Sequence, residues 1–235
     1  VCEIGYTRRD ASVSDIENLR IRPIFSGKSI KQVRIMADLF KEKAEDFDTR
    51  DVPRQLSAGI GASILDHVAL DDSMQVMDFG AGTGLITAQV ASKVQKVTCV
   101  DVSEAMLQKL AAKEELHGKV EVVCQDILER PMDAKFDLIV SAMAMHHVQD
   151  TDKLVQRFAE HLKPGGRVAL ADLDEEDGSF HPEDTEGVYH SGFNRDAFKS
   201  ILERHGFQDI RFYDATSVEK EQGRYPVFLA VATKG

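Results

Sequence analysis

Cysteine is scarce in this 235-residue sequence, which has only Cys2, Cys99 and Cys124. An odd count with no short paired spacing excludes a disulfide framework and a zinc site of the usual kind. Cys99 and Cys124 lie inside apolar runs, where a thiol serves as a small core side chain. A reducing compartment, the cytoplasm, is the expected setting. Long apolar runs are also lacking. None approaches the roughly 20 residues that cross a bilayer, so no membrane association is expected. No basic, apolar, small-residue leader opens the chain, which starts with Val1 and not Met. Positive charge is the third shortage: 29 Lys and Arg stand against 40 Asp and Glu, a net charge of −11. So acidic a chain lacks the basic face that non-specific nucleic-acid binding requires.

What is present fits an ordinary globular protein, 43% apolar and long enough to bury a sizeable core. One large domain, or one domain with an extension, is expected. Residues 1–28 show no sustained period and read as a weakly ordered, solvated arm. Up to Ile35 the chain holds seven Lys or Arg against four Asp or Glu, so the arm is locally basic. The domain proper is expected over 29–235. Ile30, Val33, Ala37, Phe40, Ala44 and Phe47 share one helical face behind a Ser29 cap. Pro53 marks that helix's end or the start of the next. The second helix, 54–70, carries Gly59 and Gly61, which weaken it.

From there, apolar strands alternate with helix patterns. "MQVMDF", "KVTCVD", "KVEVVCQD", "FDLIVSAMAM" and "GRVALADL" read as strands. "LITAQVASKV", "SEAMLQKLAAKEEL" with Ser103 as cap, "TDKLVQRFAEHL" and "RDAFKSILERHG" closed by Gly206 read as helices. This alternation predicts parallel strands in a doubly wound α/β sheet. The last two strands, "FQDIRFYDATSV" and "YPVFLAVATK", have only a polar link between them and should form an antiparallel hairpin.

The stretch "VMDFGAGTGLIT" places Gly80, Gly82 and Gly84 between a strand and a helix, where backbone N–H groups can meet an anionic or nucleotide ligand. The third glycine comes one residue too early for the dinucleotide fingerprint, and the Gly-Lys-Ser/Thr ending of a P-loop is absent. "DFGAGTG" resembles the first motif of the class I S-adenosylmethionine-dependent methyltransferases. "VTCVDVSEAML", "CQDIL", "FDLIVSAMAMHHV" and "LKPGGRVALAD" resemble that family's later motifs, in order, from about Phe40 to the C-terminus. The resemblance implies a Rossmann-like seven-stranded sheet of order 3-2-1-4-5-7-6 with strand 7 antiparallel. It also implies S-adenosylmethionine as methyl donor and S-adenosylhomocysteine as product.

By the same resemblance, Asp101 would accept from both ribose hydroxyls and Asp126 from the adenine amino group. Met106 and Ile127 would wall the ring. Gly80, Gly82 and Gly84 would clear space for the methionine end. Asp78 would organise the turn or reach the ammonium through water. Val102, Gln125, Ala142 and His147 complete the expected cofactor contacts. Helices within 29–70 would cover the cofactor, with Phe40 or Phe47 over it.

Methyl transfer is an in-line displacement that rests largely on proximity, so no catalytic residue need announce itself. Two places stand out. "MHHV" puts His146 and His147 after the fourth strand, at the cofactor edge, and His147 is the expected base or orienter. Residues 173–193 form a long connection without helix or strand pattern, expected to be a substrate lid with His181 and His190 as polar contacts. Its His and acidic residues also suggest a metal, but a solvated acidic loop is the preferred reading and no metal is expected. The expected activity is methyl transfer to a small-molecule acceptor, with a homodimer possible. The alternatives are a non-catalytic S-adenosylmethionine-binding module or an NAD-dependent oxidoreductase.

Overall fold

The computed structural model describes residues 40–235, apart from Glu42, Glu183 and Asp184. The basic arm and the first part of the helix expected from Ser29 lie outside the described residues. After a helical turn at Phe40 and a 3-10 turn at Phe47–Thr49, helix α1 runs Asp51–His67. Pro53 sits in its first turn, where a missing N–H costs nothing. The two glycines that weaken α1 in sequence have packing reasons. A Cβ on Gly59 would lie 2.5 Å from Thr216 Cβ, and one on Gly61 would lie 2.0 Å from Gln89 Oε1. Close approach to the sheet edge and to the next helix is gained at the expense of helix propensity.

The core elements alternate except between β3 and β4, which have no helix between them: β1 Gln75–Phe79, α2 Thr87–Val90, β2 Lys96–Asp101, α3 Glu104–Ala111, β3 Val120–Cys124, β4 Phe136–Ala142, α4 Thr151–His161, β5 Leu162–Leu173 and α5 Arg195–Arg204. The chain closes with β6 Phe207–Lys220 and β7 Gly223–Lys234. The seven strands lie in the order β3-β2-β1-β4-β5-β7-β6, with β7 antiparallel to both neighbours and the other pairs parallel. This is the expected Rossmann-like sheet, hairpin included.

Two helices are shorter than the sequence pattern predicts. The α-helix expected over 85–94 is only Thr87–Val90, followed by a 3-10 turn at Ala91–Lys93. Gly84, at φ +84°, holds the chain in a left-handed turn and delays the start. The helix expected over 103–116 ends at Ala111, and Glu114–Leu116 form a separate 3-10 turn. The Ser103 cap is present, its side chain accepting from Met106 N.

Alternate strand residues feed opposite faces. Val76, Val97, Leu138 and Val140 pack with Ile60 and Ile64 of α1 and Leu107 and Leu110 of α3. Met77, Val100 and Ile139 pack with Phe158 of α4 and Phe198 and Leu202 of α5. With both faces covered, every parallel strand ends its carboxyl edge on the same side. β1 and β4 are neighbours there, and their connections leave in opposite directions. That crevice is where open α/β sheets hold ligands.

Candidate cofactor and acceptor site

The glycine turn after β1 shows two different uses of one residue type. Gly80, Gly82 and Gly84 have φ of 68°, 53° and 84°, the left-handed region where side chains are strained. A Cβ on Gly80 would come within 2.3 Å of Ala144 Cβ, and one on Gly84 within 2.7 Å of Leu110 Cγ. Gly82 alone has nothing within 4 Å of that position. So Gly80 and Gly84 allow the turn to pack, and Gly82 leaves bare backbone facing a cavity of about 680 Å³. That volume lies within the ordinary range for ligand pockets.

Asp101 ends β2 beside this turn. Its Oδ2 accepts from Gly82 N at 2.8 Å and its Oδ1 from Ser103 N at 2.8 Å. Burial raises its carboxyl above the ordinary value, against the pull of those N–H groups. Asp78 is fully buried one strand away and accepts from Thr87 Oγ1 at 2.6 Å. Burial pushes Asp78 up to about 7, and the nearby Asp101 adds to the rise.

A carboxyl with an unfolded value of 3.8 and a folded value near 7 favours the folded chain below about pH 4. That contribution is lost as pH rises to about 7, where the folded state must bury the charge. Asp78→Asn is therefore expected to raise the melting temperature at pH 8 while leaving it nearly unchanged at pH 4. Calorimetric scans at the two pH values test this. An equal shift at both would remove Asp78's ionisation as the cause.

The adenine end expected from sequence is only partly assembled. Val102, Met106, Gln125 and Asp126 line the cavity. Gln125 Nε2 is held by Arg130 O at 2.6 Å, and Asp126 accepts from Leu128 N at 2.9 Å. Burial raises the Asp126 carboxyl. Ile127 is wholly buried in the core on the far face of the sheet, and Gly84 is buried against Leu110. Neither borders the cavity. Phe40 and Phe47 both line it. Sequence reading missed the tie between them and the glycine turn: Thr83 Oγ1 donates to Asp48 at 2.5 Å, and Lys113 pairs with Asp48 at 2.7 Å.

Past Ala142, which also lines the cavity, Met143 takes φ 55°, unusual for a non-glycine residue. It reverses the chain into the 3-10 turn Met145–His147. His147 Nδ1 donates to Gly187 O at 2.7 Å, and the Phe40 ring meets His147 edge-on at 5.3 Å. Burial and the neighbouring His146 push His147 down to about 3, and burial pushes His181 down to about 4. Both imidazoles are neutral at pH 7. His147 and His181 line the cavity, with ring centroids 6.0 Å apart. His190 does not: its Nε2 donates to Val148 O at 2.9 Å, and its ring lies beside Phe193.

His146 is the other cavity histidine, and its partner was overlooked. Its Nδ1 lies 2.7 Å from Oδ1 of Asp172, a carboxylate wholly buried on β5. Asp172 also accepts from the N–H groups of Met145, His146 and Leu173. The signal in sequence was a lone carboxylate inside the apolar run "VALADL". Among the described residues no group of His, Cys, Asp or Glu is arranged to hold a metal ion, and no helix is long and apolar enough to cross a membrane.

Known proteins share this arrangement. A family model described as a methyltransferase domain matches residues 76–166. An uncharacterized methyltransferase of Geobacillus kaustophilus is 30% identical over 198 residues, covering 74% of this chain and 89% of that protein. The chain belongs to the S-adenosylmethionine-dependent methyltransferases. An uncharacterized methyltransferase of Schizosaccharomyces pombe is 26% identical over 210 residues, 80% of this chain and 71% of its own length. Phosphoethanolamine N-methyltransferase 2 of Haemonchus contortus, solved with S-adenosyl-L-methionine, superposes with a TM-score of 0.62 at 19% identity. That match covers 83% of this methyltransferase and 60% of the other chain. The methyl donor is thus S-adenosylmethionine. The open backbone at Gly82 and the carboxylate of Asp101 suit a ribose-bearing sulfonium ligand.

Proposed function

We propose that this methyltransferase moves a methyl group from S-adenosylmethionine to a small molecule held at the histidine end of the cavity. The observation that carries the proposal is the closure of that end. The 173–193 loop is fastened to the turn after β4 by the His147 bond to Gly187 O and by Tyr189 N donating to His146 O at 2.9 Å. Its other shoulder is held by the β6–β7 hairpin. Ser179 meets Tyr225 Oη at 2.6 Å, and Lys220 lies 3.7 Å from the centre of the Phe180 ring. Phe40 and Phe180 both line this space and give it apolar ring walls. Such a chamber suits a compact acceptor better than a polymer. The phosphoethanolamine enzyme, by its name, also works on a small acceptor.

In this reading Asp101 holds the ribose hydroxyls and Asp126 the adenine amino group. Gly82 leaves space for the methionine end, and Asp78 faces its ammonium. The domain would span 29–235, with the segment before residue 70 covering the cofactor and residues 173–193 covering the acceptor. Neutral His147, with Nδ1 already bonded, would orient the acceptor through Nε2. Calorimetric titration with S-adenosylmethionine, S-adenosylhomocysteine and NAD tests the cofactor half. Micromolar binding of the sulfur nucleotides, with none of NAD, is expected. Comparable NAD binding would count against these contacts. An acceptor screen read by S-adenosylhomocysteine release tests the rest, and turnover confined to peptide or RNA acceptors would overturn the small-molecule reading.

A further inference from the structure

We propose that His146, backed by Asp172, is the general base of this enzyme, and that its acceptor is an apolar molecule carrying a phenolic or enolic hydroxyl. The proposal rests on the small-molecule reading above and deepens it.

The geometry begins with Asp172. Burial alone would favour the protonated acid, but the N–H groups of Met145, His146 and Leu173 all donate to this carboxyl and hold it as the carboxylate. An ionised carboxylate has no proton to give, so at the 2.7 Å contact His146 Nδ1 must be the donor. That fixes the tautomer. In the neutral ring, Nε2 then carries the lone pair. His146 is 1% exposed and lines the cavity, and its Nε2 finds no hydrogen-bond partner among the described residues. A buried ring nitrogen is seldom left unmatched unless a ligand or water completes it. The carboxylate-oriented imidazole with one free nitrogen is the arrangement that takes protons in nucleophilic catalysis.

The other two cavity histidines are less suited. His147 has Nδ1 committed to a backbone carbonyl with no carboxylate behind it. Among the described residues His181 has no carboxylate partner either, and it sits on the loop, its ring 5.1 Å from that of His146.

The acceptor class follows from the base. An imidazole, ordinarily near 6.5, can draw a proton from a phenol near 10 during the transition state. An unactivated alcohol, close to water's 15.7, offers far less driving force for the same transfer. The walls near His146 come from Phe40, Phe180, Met143 and Tyr189, which suit a flat apolar body. The step balances as follows. The hydroxyl proton passes to His146 Nε2 and the hydroxyl oxygen forms its bond to the methyl carbon. The carbon–sulfur bond breaks, and its electron pair returns to sulfur as the neutral thioether. The proton is then lost from the imidazolium to solvent. Asp172 is a positioning residue, since it acts only through the ring.

The test begins with ¹⁵N-histidine NMR of the full chain bound to S-adenosylhomocysteine. At pH 7.5, His146 is expected to show a protonated Nδ1 and an unprotonated Nε2. In Asp172→Asn the side-chain amide can donate, and the proton should move to Nε2, a change that mere loss of packing would not cause. A protonated Nε2 in the wild-type complex would overturn the proposal. Turnover is then compared with catechol and benzyl alcohol as acceptors. Methylation of catechol but not benzyl alcohol is expected, with kcat falling by about 10²–10⁴-fold in His146→Gln and the S-adenosylmethionine Kd unchanged. Benzyl alcohol as the better acceptor, or His146→Gln at wild-type kcat, would overturn it. Where neither acceptor reacts, the tautomer decides. Loss of S-adenosylhomocysteine binding in the wild type is a separate result, because it would sink the cofactor reading itself.

Discussion

Asp101→Ala is expected to weaken S-adenosylmethionine binding by at least about tenfold, and by up to about a hundredfold. A hydrogen bond to a charged group contributes about 1.5–3 kcal/mol, and about 1.4 kcal/mol corresponds to a factor of ten. The carboxylate sits where the glycine turn meets the start of α3, accepting from Gly82 N and Ser103 N. Removing it would take away the proposed ribose contact and leave the N–H groups of Gly82 and Ser103 without their acceptor. A second, smaller effect should follow: a stability loss of about 1–3 kcal/mol from the unpaired donors. Calorimetric titration, run well below the variant's melting temperature, separates the two. Unchanged affinity would remove Asp101 from the ribose role, whatever the melting temperature did.

The glycine turn supplies the other large effect. Gly80→Ala is expected to cost about 2–5 kcal/mol. About 1–2 comes from an L-residue in the left-handed region and about 1–3 from forcing a Cβ against Ala144. For a chain of this size about 3 kcal/mol corresponds to a melting-temperature drop of about 6–12 °C. Gly82→Ala meets no neighbour, so only the conformational strain applies and the drop should be about a quarter to two-thirds of that. Its new methyl would instead point into the cavity, so the affinity for S-adenosylhomocysteine should fall. Thermal scans with and without S-adenosylhomocysteine distinguish the pair. If Gly82→Ala proved the more destabilising, the Gly80–Ala144 contact would have to relax easily.

Much of this was legible in the sequence, because period and punctuation carry the fold. Strands buried on both faces show as short apolar runs, as in "KVTCVD" and "FDLIVSA", and the missing helix before β7 announced the hairpin. Helix lengths were less legible. Apolar spacing over 85–94 cannot reveal that Gly84 adopts a left-handed turn, and Gly59 and Gly61 look like breakers until their neighbours Thr216 and Gln89 are known. The cofactor half was readable because its acids end strands. Asp101 and Asp126 border the cavity as their positions suggested, whereas Ile127, in the turn after β3, packs into the core instead. The acceptor half was harder. The histidines were visible as residue types, but the contact between His146 and Asp172 spans 26 positions, and only the pairing of strands brings it about.

That pairing divides the molecule's chemistry along the sheet. Asp101 and the glycine turn depend on β1 and β2, whereas His146 and Asp172 depend on β4 and β5, where Ala142 lies opposite Ala171. A slip of β5 by one residue would shift Asp172 by about 3.3 Å and turn it to the other face, while leaving the pairing of β1 with β2 and the glycine turn untouched. Molecules misfolded in this way would still take up S-adenosylmethionine and show full secondary structure, yet, with the proposed base no longer backed by Asp172, would lose most of their turnover. Turnover per cofactor-binding site is therefore a stricter measure of native strand pairing than any spectrum, and a preparation titrating fully but turning over partially would reveal how much of it had paired wrongly.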